Sequence, residues 1–207
     1  MDNRILTDKD RNRYKPIINK MLLAVPDMMA RKIPRSYVQQ AFVIITVLKK
    51  AKKKSKILCV GSYEDTSYEY LKSLGYDIFG ISPETNDFTL RKFLLTKPGS
   101  YDIIFSASVM EHVQDDTEFI KDICSLLNVN GTAILTVDFR EDWDETKPRP
   151  SVDYRLYTSK DYKRISKILL EHNCFLTDEF IPGAKPDFEL EPGMVYSFST
   201  MVFKKLE

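Results

Sequence analysis

The sequence predicts an α/β sandwich: a mostly parallel sheet closed at one side by an antiparallel strand pair. Three observations predict it. Short apolar runs of strand length alternate with amphipathic helical stretches from Lys56 to His172. Turn residues punctuate that alternation at Gly75, at 97–100 and at Asn130-Gly131. The C-terminal part holds two strand-like stretches, 174–180 and 194–204, with no helix pattern between them, and such a pair returns antiparallel.

The elements follow in order. The first fifty residues read as helical, and Val38, Ala41, Phe42, Ile45 and Leu48 recur at the spacing of one helix face. Pro34-Arg35-Ser36 marks the start of that helix. Lysines between 49 and 56 crowd its end, where cations suit the negative pole of the helix dipole. Residues 1–50 are therefore expected to form a helical extension to a domain spanning 51–207. Ile57-Leu58-Cys59-Val60 reads as a strand buried on both faces. A helix over 66–74 is stopped by Gly75, a strand follows over 77–81, and a short helix over 88–95. Next come a strand over 101–106, a helix over 115–127, the tight turn Asn130-Gly131 and a strand over 132–138. A polar segment, 139–158, precedes a helix over 159–172, with His172 as its end cap. Between Glu84 and Tyr101 the chain is too short for both a helix and a further strand, so that sheet edge is expected to be reduced or missing. Right-handed crossovers place the loops after the parallel strands on one edge, where ligands bind in open sheets.

Composition narrows the function classes. The chain has 207 residues, 43% of them hydrophobic and 29% charged, which suits one globular domain. A formal net charge of +1 gives no global field for nucleic acid or a membrane surface. Cys59, Cys124 and Cys174 have no paired or metal-like spacing and read as buried thiols in a reducing compartment. No His, Asp, Glu and Cys set has ligand-like spacing, so no metal is expected. The start of the chain is charged where a signal peptide is apolar, and the apolar run 41–48 is far shorter than the ~20 residues of a membrane span. The expected location is cytoplasmic.

The loop Gly61-Ser62-Tyr63-Glu64-Asp65-Thr66 joins a strand to a helix, so its backbone amides can face a ligand, and Gly61 permits close approach. No Gly-x-Gly-x-x-Gly or Gly-Lys-Ser/Thr phosphate motif is present. The loop is acidic instead, and Glu64 and Asp65 suit a cationic ligand better than a pyrophosphate. Simple helix capping by Asp65 or Thr66 is the plainer alternative.

The stretches ILCVGSYEDTSYEYLKSLGYDIFGISPE and YDIIFSASVMEHVQDDTEFIKDICSLLNVNGTAILTVDF resemble class I S-adenosylmethionine-dependent methyltransferases. Val109-Met110-Glu111-His112-Val113 is similar to their Leu-Glu-His-Val signature, and Asn128-Val129-Asn130-Gly131 stands where they usually have Lys-Pro-Gly-Gly. The similarity covers residues 56–138, and 154–158 is similar to sugar-modifying members. The resemblance implies a Rossmann-like methyltransferase sandwich with S-adenosylmethionine as cofactor and S-adenosylhomocysteine as product. It places Gly61 to Thr66, Ser82, Glu84, Ser106 and Ala107 around the cofactor. Two positions depart from the family pattern: Cys59 and Ser82 stand where acids are usual. A hydroxyl cannot receive both ribose hydroxyls as a carboxylate does, so Glu84 is the candidate substitute there, while Asn86 and Asp87 are the candidates for the adenine-contacting acid that the reduced third strand leaves no room for.

Methyl transfer to a hydroxyl gains from a base that takes the acceptor's proton. His112, after the fourth of the family's strands, and Asp138, ending the fifth, are the candidate catalytic groups, each with a structural role as its alternative. Arg140, Tyr154, Arg155 and Tyr157 lie in segments expected to cover the acceptor, because arginine pairs with phosphate and tyrosine stacks on sugars. The acidic loop around Trp143 reads as a lid. The expected function is methyl transfer to a hydroxyl or amine of a small acceptor, a sugar or nucleotide-linked sugar in glycan biosynthesis, with no nucleic-acid partner. The alternatives are an RNA or protein methyltransferase and a non-catalytic S-adenosylmethionine- or nucleoside-binding subunit. Acceptor atom and oligomeric state have no signature in the sequence.

Overall fold

The computed structural model describes residues 1–183, 185–186 and 188–207. In chain order the elements are β1 (Ile5–Leu6), α1 (Asp8–Ala24), α2 (Pro26–Ala30), α3 (Tyr37–Lys50), β2 (Ile57–Val60), α4 (Thr66–Ser73) and β3 (Ile78–Ile81). They continue with α5 (Pro83–Asn86), α6 (Leu90–Leu95), β4 (Tyr101–Ala107), α7 (Asp116–Leu126), β5 (Leu127–Phe139), α8 (Ser159–Glu171), β6 (Cys174–Leu176), β7 (Phe188–Glu189) and β8 (Val195–Lys205). The strands run side by side in the order β1-β8-β5-β4-β2-β3, and β6 and β7 also pair with β8. Strands β3, β2, β4 and β5 are parallel, and β8 enters antiparallel to β5. This is the predicted mixed sandwich.

Each face of the sheet buries its own apolar cluster. On one side α3 carries Val38, Phe42 and Val47 onto Ile57, Phe105 and Ile134. On the other, Ile120 and Ile123 of α7 and Ile165 and Leu169 of α8 cover Leu58, Ile104 and Leu135. Strand β2 is buried along its whole length, as its unbroken apolar run demands. Between Ile81 and Tyr101 the described residues form α5 and α6 and no strand, which leaves β3 as the sheet's edge.

Three elements differ from expectation. Ile5-Leu6, inside the segment read as helical, is a strand paired with Ser199 and Phe198. Two residues are too few for a period to show, and the long-range partner decides the conformation. The turn at Asn130-Gly131 lies within β5 rather than before it. The register jumps from Tyr101↔Leu127 to Ile103↔Thr132, and Asn130 adopts φ 67 to absorb the extra residues. The strand expected over 174–180 stops at Leu176, and Phe180 leaves it to stack on Tyr162 with ring centroids 3.6 Å apart. Among the described residues no helix is long and apolar enough to cross a membrane.

Candidate active site

Three strand ends build a cleft of about 700 Å³ on the predicted sheet edge. The first is the loop after β2. Gly61 takes φ 85, and the N–H groups of Gly61 and Ser62 both donate to the carbonyl of Ile81, at 2.8 and 3.1 Å, which ties this loop to the end of β3. Asp65 caps α4: it accepts from Tyr68 N at 2.8 Å and from Ser67 Oγ at 2.6 Å. Burial raises its pKa even against those bonds. Capping and cleft lining therefore coexist at Asp65, whereas Thr66 is fully buried. Beneath the loop Gln40 of α3 accepts from the backbone and hydroxyl of Ser67 at 2.9 and 2.7 Å. Ser62 is buried, while Tyr63 and Glu64 line the cleft, with Glu64 3.9 Å from Arg31.

The second strand end is that of β3. Ser82 is buried and its hydroxyl donates to the exposed Glu84, so serine and glutamate act as one unit that presents a carboxylate to the cleft. Asn86 Oδ1 accepts from Ser82 N at 3.1 Å and so fixes this corner, whereas Asp87 pairs with Lys92 on the surface. The third is the end of β4. Ser106 is buried and donates to Val60 O at 3.0 Å, so it ties β4 to β2, while Ala107 lines the cleft. Ser108, at φ 52, donates to Gln39 of α3 at 2.8 Å. Val109, His112 and Val113 complete this wall.

Behind the wall lies a set of buried acids. Glu111, fully buried, accepts from the backbone N–H of Asp138 at 3.3 Å, and burial pushes its carboxyl up to about 7. Asp138 is raised well above the ordinary carboxylate range by burial, then by Glu111 and Asp153. Asp153, in the loop between β5 and α8, holds His112 Nδ1 at 2.9 Å, and the imidazole is thereby pushed up to about 9 against the opposing effect of burial. One oxygen each of Glu111, Asp138 and Asp153 is buried without a hydrogen-bond partner. Glu111 and Asp138 are both shifted toward the protonated form and influence each other, so these two buried acids hold protons jointly. Neither Glu111 nor Asp153 is among the site residues that the sequence predicts. Glu111 sits inside the Val109 to Val113 signature, which was a usable signal, whereas Asp153 lies in a polar segment that gave none.

The residues expected over the acceptor divide. Arg140 bonds Asp142 at 2.9 Å and Gly193 O at 3.5 Å, and Tyr154 is half exposed. Arg155 turns inward to Asp116 at 3.0 Å and to the carbonyls of Val113 and Gln114 at 3.2 and 2.5 Å. Tyr157 is fully buried, its hydroxyl within hydrogen-bond reach of two acceptors, Asp116 at 3.1 Å and Met110 O at 3.3 Å. Both brace the turn that carries His112, and none of the four lines the cleft. Trp143 is packed against the α3-side core. Cys59, Cys124 and Cys174 are buried free thiols. Among the described residues no three His, Cys, Asp or Glu side chains are grouped to hold a metal ion.

A sequence profile described as a methyltransferase domain matches residues 30–181. The chain belongs to that family. Its fold is shared by TehB from Haemophilus influenzae, with a TM-score of 0.56 and 16% identity over 83% of this chain and 66% of that one. It is also shared by coclaurine N-methyltransferase bound to N-methylheliamine and SAH, with a TM-score of 0.57 and 7% identity over 96% of this chain and 87% of that one. The O-methyltransferase of a Brevibacillus brevis trans-AT PKS, solved with S-adenosyl-L-homocysteine, aligns at a TM-score of 0.51 and 14% identity, covering 93% of this chain and 79% of that one. The chain thus spans just under two thirds of TehB. None of the curated proteins compared with this methyltransferase matches it in sequence. The family is the class I, S-adenosylmethionine-dependent one. The cleft fits that cofactor: the Ser82–Glu84 unit offers a carboxylate, Ile81, Phe88, Leu90 and Phe119 offer an apolar wall, and the loop at Gly61 packs so closely on Val109 that a Cβ at residue 61 would force Val109 to shift.

Proposed function

We propose that this methyltransferase moves the methyl group of S-adenosylmethionine to a hydroxyl or amine of a small acceptor, a sugar or nucleotide-linked sugar of glycan biosynthesis. The observation that carries the proposal is the placement of His112: it follows β4, lines the cofactor cleft and is held at Nδ1 by a buried acid. When bound, the cofactor supplies an electrophilic methyl on a positively charged sulfur. The chain must then hold an acceptor in line, about 3 to 3.5 Å away, and remove its proton. Glu84, supported by Ser82, holds the ribose. Glu64 and Asp65 offset positive charge at the first loop, and the apolar wall excludes water from the adenine. His112 accepts the acceptor's proton. Asp138, the other candidate base, is buried behind the cleft wall rather than lining it, and its backbone N–H donates to Glu111 beside His112, so its part is to support that wall. Arg140 and Tyr154, in the segment after β5 and outside the cleft itself, are the groups offered to a sugar that extends beyond it. Residues 1–50 act as an extension whose last helix, α3, supports the chain after β4 through Gln39 and the start of α4, beside the cofactor loop, through Gln40.

Calorimetry with S-adenosylmethionine and S-adenosylhomocysteine tests the cofactor half, with micromolar binding of both expected. Radiolabelled methyl transfer to a panel of nucleotide sugars and small amines tests the acceptor half. A second reading, a binding subunit without catalysis, is favoured by Cys59 and Ser82 in place of acids. Tight binding with no transfer to any member of the panel would select it.

A further inference from the structure

We propose that Asp153 is the positioning residue for His112, fixing the imidazole in the tautomer whose Nε2 is bare and open to the cofactor cleft. The inference rests on the reading of His112 as the proton acceptor and adds the residue that makes it one. Asp153 is itself almost inaccessible, with 1% of its side chain exposed, whereas the His112 side chain is 40% exposed. The contact is therefore made from inside the fold, and the free edge of the ring points outward. Nδ1 lies 2.9 Å from Asp153 Oδ1 and 3.3 Å from Val152 O. Both are acceptors, so the Nδ1 proton is retained and Nε2 is the nitrogen that exchanges protons. The loop carrying Asp153 is fixed at several points. Asp153 N donates to Pro150 O at 2.9 Å, and Tyr154 N donates to Glu111 O at 2.8 Å. Arg155 grips Asp116 and two carbonyls beside the His112 turn. The sequence distance between the two partners is spanned by this clasp rather than by a shared element.

The proton balance is simple. An acceptor O–H gives its proton to Nε2 as the methyl–oxygen bond forms and the methyl–sulfur bond breaks, leaving a neutral thioether and an imidazolium. Asp153, 2.9 Å from Nδ1, stabilises the imidazolium. The ring then returns its proton to solvent. The charged neighbours are few on the inner side: Asp153, then Glu111 on the same turn, with Asp138 of β5 and Tyr196 of β8 behind them. On the cleft side the same walls carry Asp115 and Glu118 by α7, Glu64 and Glu84 across the opening, and the cations Lys32 and Arg91. Acids outnumber cations on both sides, and Asp153 is the one in contact. It therefore sets both the direction and the basicity of the ring.

The chain has two histidines, so ¹⁵N-imidazole NMR of the full protein resolves His112, assigned by H172Q. In the unaltered chain His112 is expected to titrate near 9 and, above that pH, to carry its proton on Nδ1. In D153N the midpoint moves down by at least about one pH unit. The rising limb of kcat against pH moves with it, and the plateau kcat falls at least about tenfold with KM for the cofactor unchanged. D153E restores part of the plateau. A wild-type neutral ring protonated on Nε2, or a D153N midpoint within a few tenths of the wild type, would overturn the inference. The NMR arms need neither cofactor nor acceptor and no altered fold. If they succeed while no acceptor is methylated, the proposed function fails and the positioning role stands.

Discussion

Gly61 and Val109 occupy adjoining space: a Cβ placed on Gly61 would lie 2.4 Å from Val109 Cγ2. The contact joins the loop after β2 to the wall after β4, which are the two sides of the cofactor cleft. Gly61 also has φ 85, a backbone setting that L side chains rarely adopt. Gly61→Ala thus meets a clash and a strained backbone together, whereas Gly75, at φ 86 with open space around it, meets strain alone. Both variants are expected to lose about 1–3 kcal/mol of stability in denaturant titration. Only Gly61→Ala is expected to weaken S-adenosylmethionine binding, by at least about tenfold, or about 1.4 kcal/mol. Equal cofactor affinity in the two variants would mean that the loop does not touch the ligand.

The Ser82–Glu84 pair carries a second expectation. If the pair replaces a single strand-end acid, Glu84→Gln removes the charge but keeps the shape. Cofactor affinity then falls about five- to twentyfold in calorimetry, while kcat at saturating cofactor changes less than about twofold. An unchanged affinity would move the ribose contact elsewhere.

Most strands and helices of the sheet were legible because their signals are local: the Ile57 to Val60 run, the Gly75 stop and the amphipathic stretch before Leu126. The outlying parts were not. Ile5-Leu6 is defined by Ser199 and Phe198 at the far end of the chain, a pairing no window of sequence contains. The site divides the same way. Gly61, Glu84 and His112 follow strands, and strand ends can be found by pattern. Asp153 lies in a loop whose position depends on Arg155 and Tyr154 contacts made across the fold. Arg155 and Tyr157 carry polar groups that read as ligand-facing, yet both are used by the buried carboxylate of Asp116.

Arg155 can be separated from the acceptor by experiment. Burial pushes the Asp116 carboxyl up, but Arg164 and Arg155 outweigh it and hold its pKa below the ordinary value. Arg155→Ala leaves Arg164 in place, so the expected loss is about 1–3 kcal/mol of stability rather than the larger cost of an isolated buried charge. Chemical denaturation measures it. KM for the acceptor is expected to stay within about twofold once folding is complete, and a selective rise in KM would return Arg155 to the acceptor site.

Stability should fall as pH rises, and the sign follows from two groups. Glu111 goes from 4.5 up to about 7 on folding, so between those values the unfolded chain has lost a proton that the folded chain keeps. His112 goes from 6.5 up to about 9 and adds the same sense over a higher window. Each contribution is present below the unfolded value and lost as pH passes through the folded one. The melting temperature is therefore expected to decline from pH 5 to pH 9. Glu111→Gln should flatten the lower part of that decline, and His112→Gln the upper part. A melting temperature that rises across this range would contradict the shared protons.

His112 and Asp138 differ in what they can do at neutral pH, and that difference separates their roles. His112 is held as an imidazolium up to about 9, so its base function strengthens as pH rises toward that value. Asp138 lies behind the cleft wall, its carboxyl raised well above the ordinary range by burial, Glu111 and Asp153, and its neutral isostere is asparagine. His112→Ala is accordingly expected to lower kcat at pH 9 by about 10²–10⁴ and to abolish the rising alkaline limb. Asp138→Asn keeps the shape of the side chain and is expected to lose only about tenfold, with the limb intact. Cofactor affinity, measured by calorimetry, should stay within about threefold in both. If Asp138→Asn removed the limb and His112→Ala did not, the proton would be leaving through the carboxylate, and the imidazole would be a structural partner of Asp153.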